Sequence, residues 1–186
     1  HDFTSRKVIR LIREDIPYYA MHTNYDILGM ADLSAEYIGI SQTSVLSVTE
    51  DGPEGTQGFG RAGNLPKEMS LGEYADFIKA SLKLKDVRVY GDLKMPVKRA
   101  AVCTGSGKSM IPDALAAGAD VYVTGDIDHH TGIDALQAGL AVIDAGHYGT
   151  EYIFMDAMKK RIQEVFGGLK VTCAKVQCPY TLMADM

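Results

Sequence analysis

Three short apolar runs in the second half of the chain, KRAAVC at 98–103, ADVYVT at 119–124 and LAVID at 140–144, are separated by stretches of helical character. Parallel strands cannot be joined by a tight turn, so strand and helix in alternation is the pattern of βαβ units. The spacing predicts helices at 108–117 and 131–138 between these strands, then a helix at 149–166 and a strand at 169–175. The first half reads as helix 4–14, strand 16–21 (IPYYAM), helix 29–38, strand 43–49, helix 70–82 and strand 86–91. The expected fold class is α/β, a mostly parallel sheet with helices on both faces. One domain over 1–186 is expected, in two similar lobes with a soft division near 92–97.

With 186 residues, 46% of them hydrophobic and 23% charged, the chain can bury a core of its own. A net charge of −5 and the lack of a Lys/Arg stripe argue against nucleic acid as a partner. No apolar run approaches the ~20 residues of a membrane helix, so no membrane partner is expected. No stretch reads as a signal peptide, which makes the expected location cytoplasmic. Cys103, Cys173 and Cys178 lack CxxC spacing and read as small buried hydrophobes in strands or loops. In the last predicted helix Phe154, Met158, Ile162 and Val165 form a stripe toward the sheet, with Lys159, Lys160 and Gln163 facing water.

Two glycine motifs fail their context tests. EDGPEGTQGFGRAGNLP at 50–66 reads as a linker between lobes or a loop over a site. Its GFGRAG meets Pro66 instead of opening a helix, so the dinucleotide reading of GxGxxG lacks its support. TGSGKS at 104–109 resembles the end of a phosphate-binding loop, but the first glycine of that motif would fall at Val102. A weaker expectation survives, that backbone amides of Gly105, Ser106 and Gly107 hold a phosphate where a strand gives way to a helix.

The histidines carry the functional signal. His22 follows YYAM, His129 and His130 follow VYVTGDID, and His147 follows LAVIDAG, so four of five lie just beyond the carboxyl end of a predicted strand. In open parallel sheets the ligand crevice lies there. Carboxylates accompany them at Asp26, Asp126, Asp128, Asp144 and Glu151. In DAGHYGTE at 144–151, His147 and Glu151 stand at i and i+4, on one helix face, as two ligands of one ion would. The competing account is that Glu151 complements the helix dipole in the first turn. Mixed imidazole and carboxylate donors suit Zn²⁺, Mn²⁺ or Fe²⁺.

HTNYD, GFGRAGNL, TGSGKS, GADVYVTGDIDHH and DAGHYGTE, in this order, resemble the GTP cyclohydrolase 1 type 2 homologue family, the Nif-three-like dinuclear metal proteins. The resemblance runs across essentially the whole chain. It implies two divalent metal ions, with Asp26, His147 and Glu151 as ligands and His22, Asp126 and His130 lining the cavity in catalytic roles. It also implies a homo-oligomer, a hexamer among relatives. The family's upstream HHP motif is missing from a chain that opens His1-Asp2-Phe3, and His129-His130 belongs to the TGD segment. N-terminal elements and a first ligand pair are therefore expected outside this sequence.

The chemistry implied is hydrolysis of a small-molecule substrate such as GTP. Metal-activated water would attack ring carbon 8, His130 or His22 would shuttle the proton, and the triphosphate would meet amides near Gly105 to Gly107. A metal-dependent phosphoesterase or amidohydrolase would use the same ions, and a non-catalytic metal-binding or regulatory scaffold would share the fold and site without turnover.

Overall fold

A computed structural model describes residues 2–53 and 55–181. Helix α1 (Phe3–Arg13) is followed by an extended segment, a helical turn α2 (Thr23–Tyr25), a π-helical turn at Asp26–Met30 and helix α3 (Ala31–Tyr37). A hairpin of β1 (Ser41–Gly52) and β2 (Gly55–Ser70) leads to helix α4 (Leu71–Ser81) and strand β3 (Arg88–Tyr90). Strand β4 (Pro96–Ser106), a 3₁₀ turn at Lys108–Met110, helix α5 (Ile111–Ala116), strand β5 (Val121–Gly125), helix α6 (His129–Gln137) and strand β6 (Ala141–Asp144) follow. Helices α7 (His147–Glu151) and α8 (Phe154–Val165) come last among the described residues.

All six strands form one sheet in the order β1-β2-β4-β5-β6-β3. The three runs that carried the alternation, now β4, β5 and β6, pair in parallel as expected, joined by α5 and α6. The expectation of a mostly parallel sheet needs correction. Pairs β1–β2, β2–β4 and β3–β6 are antiparallel, so three of the five pairings run that way. Two of the three involve the glycine-rich stretch, which is neither linker nor loop and supplies most of the 16-residue strand β2, and the third adds β3 at the opposite edge. A side chain on Gly60, at φ +62°, would strike the backbone carbonyl of Val102 on the neighbouring strand. Glycine here marks close strand approach. Residues 92–97 lead directly into β4, whose Val97 pairs with Met69 of β2.

Helices cover both faces. Along β5, Val121 and Val123 face a core built with Leu71, Tyr74 and Ile78 of α4, while Tyr122 points to the opposite layer with Ala114 of α5. This is the two-residue period of a strand buried on both sides. Helix α4 forms because its apolar residues recur at helical spacing and because Ser70 and Glu73 cap each other reciprocally. Ser70 Oγ accepts from the Glu73 amide at 3.2 Å, and Glu73 Oε2 accepts from the Ser70 amide at 2.8 Å. On the second face Val142 of β6 packs with Ile127 and with Ala135 of α6.

Three further expectations change. Residues 16–21 and 169–175 form no strand. The helix expected at 149–166 is broken between Glu151 and Phe154 into α7 and α8. The stripe on α8 is at best half-buried, and Val165 is exposed. Cys178 is exposed and Cys103 and Cys173 are partly buried, all three as free thiols. Among the described residues no helix is long and apolar enough to cross a membrane.

The core that matters energetically is the layer under α4. Ile78, at 0% exposure, should cost about 2–4 kcal/mol when replaced by Ala, because the cavity left behind cannot collapse fully. Val165→Ala on α8, at 66% exposure, should stay within about 0.5 kcal/mol. Urea unfolding of the two variants checks the contrast, and equal losses would place the core elsewhere.

Candidate metal centre

The parallel register delivers the site. Thr124 of β5 lies opposite Asp144 of β6, so the chain leaving each strand runs beside the other. Asp126 follows β5 in the left-handed backbone region at φ +58°, and His147 opens α7 after Gly146. Their side chains meet, with His147 Nδ1 2.7 Å from Asp126 Oδ2. One helical turn on, Glu151 Oε1 lies 3.2 Å from His147 Nε2. The imidazole is thus gripped between two carboxylates, and the i, i+4 geometry read from DAGHYGTE is present.

Thr150, not singled out in the sequence, fixes α7 to the end of β4. It is buried, its Oγ1 accepts from the Gly105 amide at 2.9 Å, and it lies 3.1 Å from the Gly146 carbonyl and 3.0 Å from that of His147. A hydroxyl returning its proton to its own helix turn is a local alternative to solvent. Only its place between His147 and Glu151 could have signalled it.

The opposite wall comes from the N-terminal third. The His22 carbonyl accepts from the Tyr25 and Asp26 amides, at 2.8 Å and 3.1 Å, which starts the turn that becomes π-helical at Asp26. Such widened turns are frequent at functional sites. Tyr25 packs on Phe154 of α8 with ring centroids 6.2 Å apart, which ties this turn to the helix that follows the one carrying His147 and Glu151.

Two adjoining cavities of about 250 and 240 Å³ share His22, Asp26, His147 and Glu151, which form the partition between them. The first is also lined by Phe59, Gly60, Cys103, Ser106 and Ser109. The second is closed by Met21, Tyr25, Met30 and Phe154. Asp126 lines neither cavity and reaches the site only through His147 Nδ1, and His130 is not among the lining residues either. It lies exposed in the first turn of α6, edge-on to His129, because Asp128 caps that helix and turns its start outward. The amides of Gly105 and Gly107 are already committed, to Thr150 Oγ1 and Thr124 Oγ1, so of the phosphate-binding trio Ser106 alone offers the cavity an exposed residue.

Electrostatics follow from this crowding. Burial pushes the Glu151 carboxyl above its ordinary range, opposed by His147 and reinforced by Asp26. Burial does the same to Asp26, with His22 opposing. The hydrogen bond that His147 donates to Asp126 holds the imidazole above its ordinary value against partial burial, and Glu151 adds to it. At the cavity floor, burial pushes the Cys103 thiol up to about 11, so it stays protonated.

No three His, Cys, Asp or Glu side chains among the described residues converge closely enough to hold one ion. The chemistry of the donor set nevertheless fits a divalent cation, with two imidazoles and two carboxylates in one partition and no lysine or arginine among the described lining residues. The His147–Glu151 separation of 3.2 Å falls within the roughly 3.0–3.4 Å between neighbouring donors on an ion with bonds of about 2.0–2.1 Å. Asp126 on Nδ1 is the carboxylate–histidine arrangement that orients a metal-ligating imidazole.

The shifts of Glu151, Asp26 and His147 all favour the protonated forms in the folded protein. A histidine raised this way adds stability fully present below its unfolded pKa of about 6.5 and lost as pH rises through the folded value, and a raised Asp or Glu likewise loses stability as pH climbs past about 4–5. The melting temperature of metal-free protein should therefore fall between about pH 5 and 8. His147→Asn should flatten the upper part of that curve. Identical slopes for wild type and variant would contradict the assignment.

Comparison with known proteins places these features in a family. The family model Duf34/NIF3 (NGG1p interacting factor 3) matches residues 1–179. A protein of Streptococcus pneumoniae called GTP cyclohydrolase 1 type 2 homolog is 44% identical over 154 residues, covering 80% of this chain and 56% of its own length. A Clostridium perfringens protein of the same name is 35% identical over 161 residues, covering 86% and 61%. The chain thus spans somewhat under two thirds of these curated relatives. A Staphylococcus aureus hypothetical protein of solved structure superposes with TM-score 0.88 at 26% identity, over 98% of this chain and 74% of that one. A Bacillus cereus protein related to NIF3 shares the fold at TM-score 0.88 and 24% identity, over 96% and 76%.

Proposed function

The chain belongs to the Duf34/NIF3 family, and from that premise we propose that its cavity binds divalent metal ions and serves hydrolysis of a small molecule of purine-nucleotide type such as GTP. The observation that carries this reading is the partition itself: His22, Asp26, His147 and Glu151 are brought from opposite ends of the chain into one wall shared by two cavities. The name of the S. pneumoniae and C. perfringens relatives supports the nucleotide. At about 250 Å³ the larger of these two cavities falls below the ~300 Å³ of small ligand pockets, so it would take the reacting end of a nucleotide and leave the remainder outside.

A bound divalent ion would supply Lewis-acid activation of water and of the electrophile. Zn²⁺, Mn²⁺ or Fe²⁺ suit the donors, which are His147 Nε2, Glu151 and Asp26. Asp126 holds the Nδ1 side of His147 and so keeps Nε2 directed at the cavity. His22, beside Asp26 on the opposite wall, is placed to carry a proton between water and substrate. Its Nδ1 lies 3.0 Å from Thr23 Oγ1, which leaves Nε2 for the substrate side. Phe59 and the hydroxyls of Ser106 and Ser109 offer a ring face and polar contacts to the remainder of the substrate. His130, pointing to solvent on α6, has no part in this version of the mechanism.

Elemental analysis of wild type and Glu151→Gln, purified identically, tests the reading. Glutamine keeps the shape and removes the anion, so metal content at limiting free metal should fall by about tenfold or more. GTP turnover by the loaded protein, followed at 260–330 nm, should fall with it. Equal occupancy in the two proteins would reduce Glu151 to the ion-pair partner of His147. Metal held without GTP turnover would favour a scaffold, or a phosphoester or amide substrate.

A further inference from the structure

Beneath the site lies a carboxylate that touches neither cavity. Asp144, the last residue of β6, has a side chain only 1% exposed and accepts three hydrogen bonds. Its Oδ1 takes the Gly146 amide at 2.9 Å, immediately before His147. Its Oδ2 takes the Ile127 amide at 3.1 Å, immediately after Asp126. Arg88, on the edge strand β3, donates to the same Oδ2 at 2.6 Å and supplies the counter-charge. One buried carboxylate therefore grips the neighbours of both residues that meet at the Asp126–His147 contact.

We propose that Asp144 is the positioning residue of this centre, fixing the two loops so that Asp126 meets His147 and the imidazole presents Nε2 to the cavity. Its effect on metal binding rests on the metal reading above, whereas its effect on the contact does not. The geometry makes the carboxylate hard to replace. All three partners are donors, so both oxygens must accept. Asparagine offers one oxygen and one amide, and whichever way it turns, the NH₂ faces a donor. With NH₂ at the Oδ1 position the Gly146 anchor is lost, and at the Oδ2 position the Ile127 anchor and Arg88 are lost. Asp126 has most to lose from release, since its left-handed backbone is a conformation a non-glycine residue keeps only when its surroundings impose it.

The experiment pairs crystal structures of metal-free wild type and Asp144→Asn with Co²⁺ titrations read by visible absorption. In the variant the Asp126–His147 distance, 2.7 Å here, should open beyond about 3.5 Å while β5 and β6 stay paired. Co²⁺ affinity should drop about tenfold, with a changed absorption band that mere loss of stability would not produce. A retained Asp126–His147 contact overturns the proposal, as does unchanged affinity in a background where wild type binds Co²⁺. If wild type takes up no Co²⁺ the metal reading falls, and the crystallographic contact alone decides the role of Asp144. Should the single variant fail to fold because Arg88 is left facing an amide, Arg88→Met/Asp144→Asn removes both charges, and the same outcomes apply to it.

Discussion

Parallel strands that end in step have no choice but to set their following loops side by side. In this molecule Val121, Tyr122, Val123 and Thr124 of β5 face Ala141, Val142, Ile143 and Asp144 of β6 without a slip. The next residues on both strands are therefore neighbours before any side chain is considered. Gly125 shows how close they come, since a Cβ there would lie 2.6 Å from the His147 amide and 2.8 Å from the Gly105 carbonyl. Three chain segments are pressed together at a point with no room for a side chain on Gly125. The site's chemistry rests on that backbone register.

Much of this was legible because strands buried on both faces need continuous apolar runs, and such runs are conspicuous between helices. VYV and AVI are strands for that reason, and α5 and α6 follow from the length a parallel crossover requires. The hairpin was not legible for the opposite reason. Glycine normally weakens a strand, and a run with Gly at 55, 58, 60 and 63 carries the composition of a loop. Nothing local records that Val102 and Ser47 lie too near for side chains at Gly60 and Gly58. IPYYAM has strand composition but no pairing partner among the described strands, and propensity cannot supply one. On α8 the apolar period is real, yet a stripe records only the potential to be covered.

The candidate site divides along the same line. His147 and Glu151 could be read from spacing, since i and i+4 share a helix face whatever the fold. Placing Asp26 and His22 with them depended on family resemblance, because the segment before them is no strand and the strand-end rule reached His22 by a premise the fold does not share. His130 shows that rule failing outright. Being four residues from a strand-end carboxylate does not decide direction once a helix cap intervenes, and Asp128 turns the His129–His130 pair to solvent. Thr150 had only its place between His147 and Glu151 to mark it, because a threonine on a helix carries no sign of the distant amide it will accept.

Asp126 connects the fold's demands with the site's. Four described residues other than glycine have positive φ. Asp15 and Lys83 each follow a helix end, where the next amides bond back to Leu11 and Lys79 at 3.0 Å and 2.8 Å, as a left-handed cap does. Gln42 sits at a register shift in β1. Local structure accounts for those three. Asp126 caps no helix and lies in no bulge. It leaves the buried strand β5 and turns its carboxylate onto the imidazole of His147. An aspartate tolerates that backbone better than most residues, at a cost of order 1 kcal/mol, which the fully buried Val121, Val123 and Ile143 beside it can sustain. The same turn delivers Ile127 to the core and its amide to Asp144, so one strained residue serves the fold and the candidate site together.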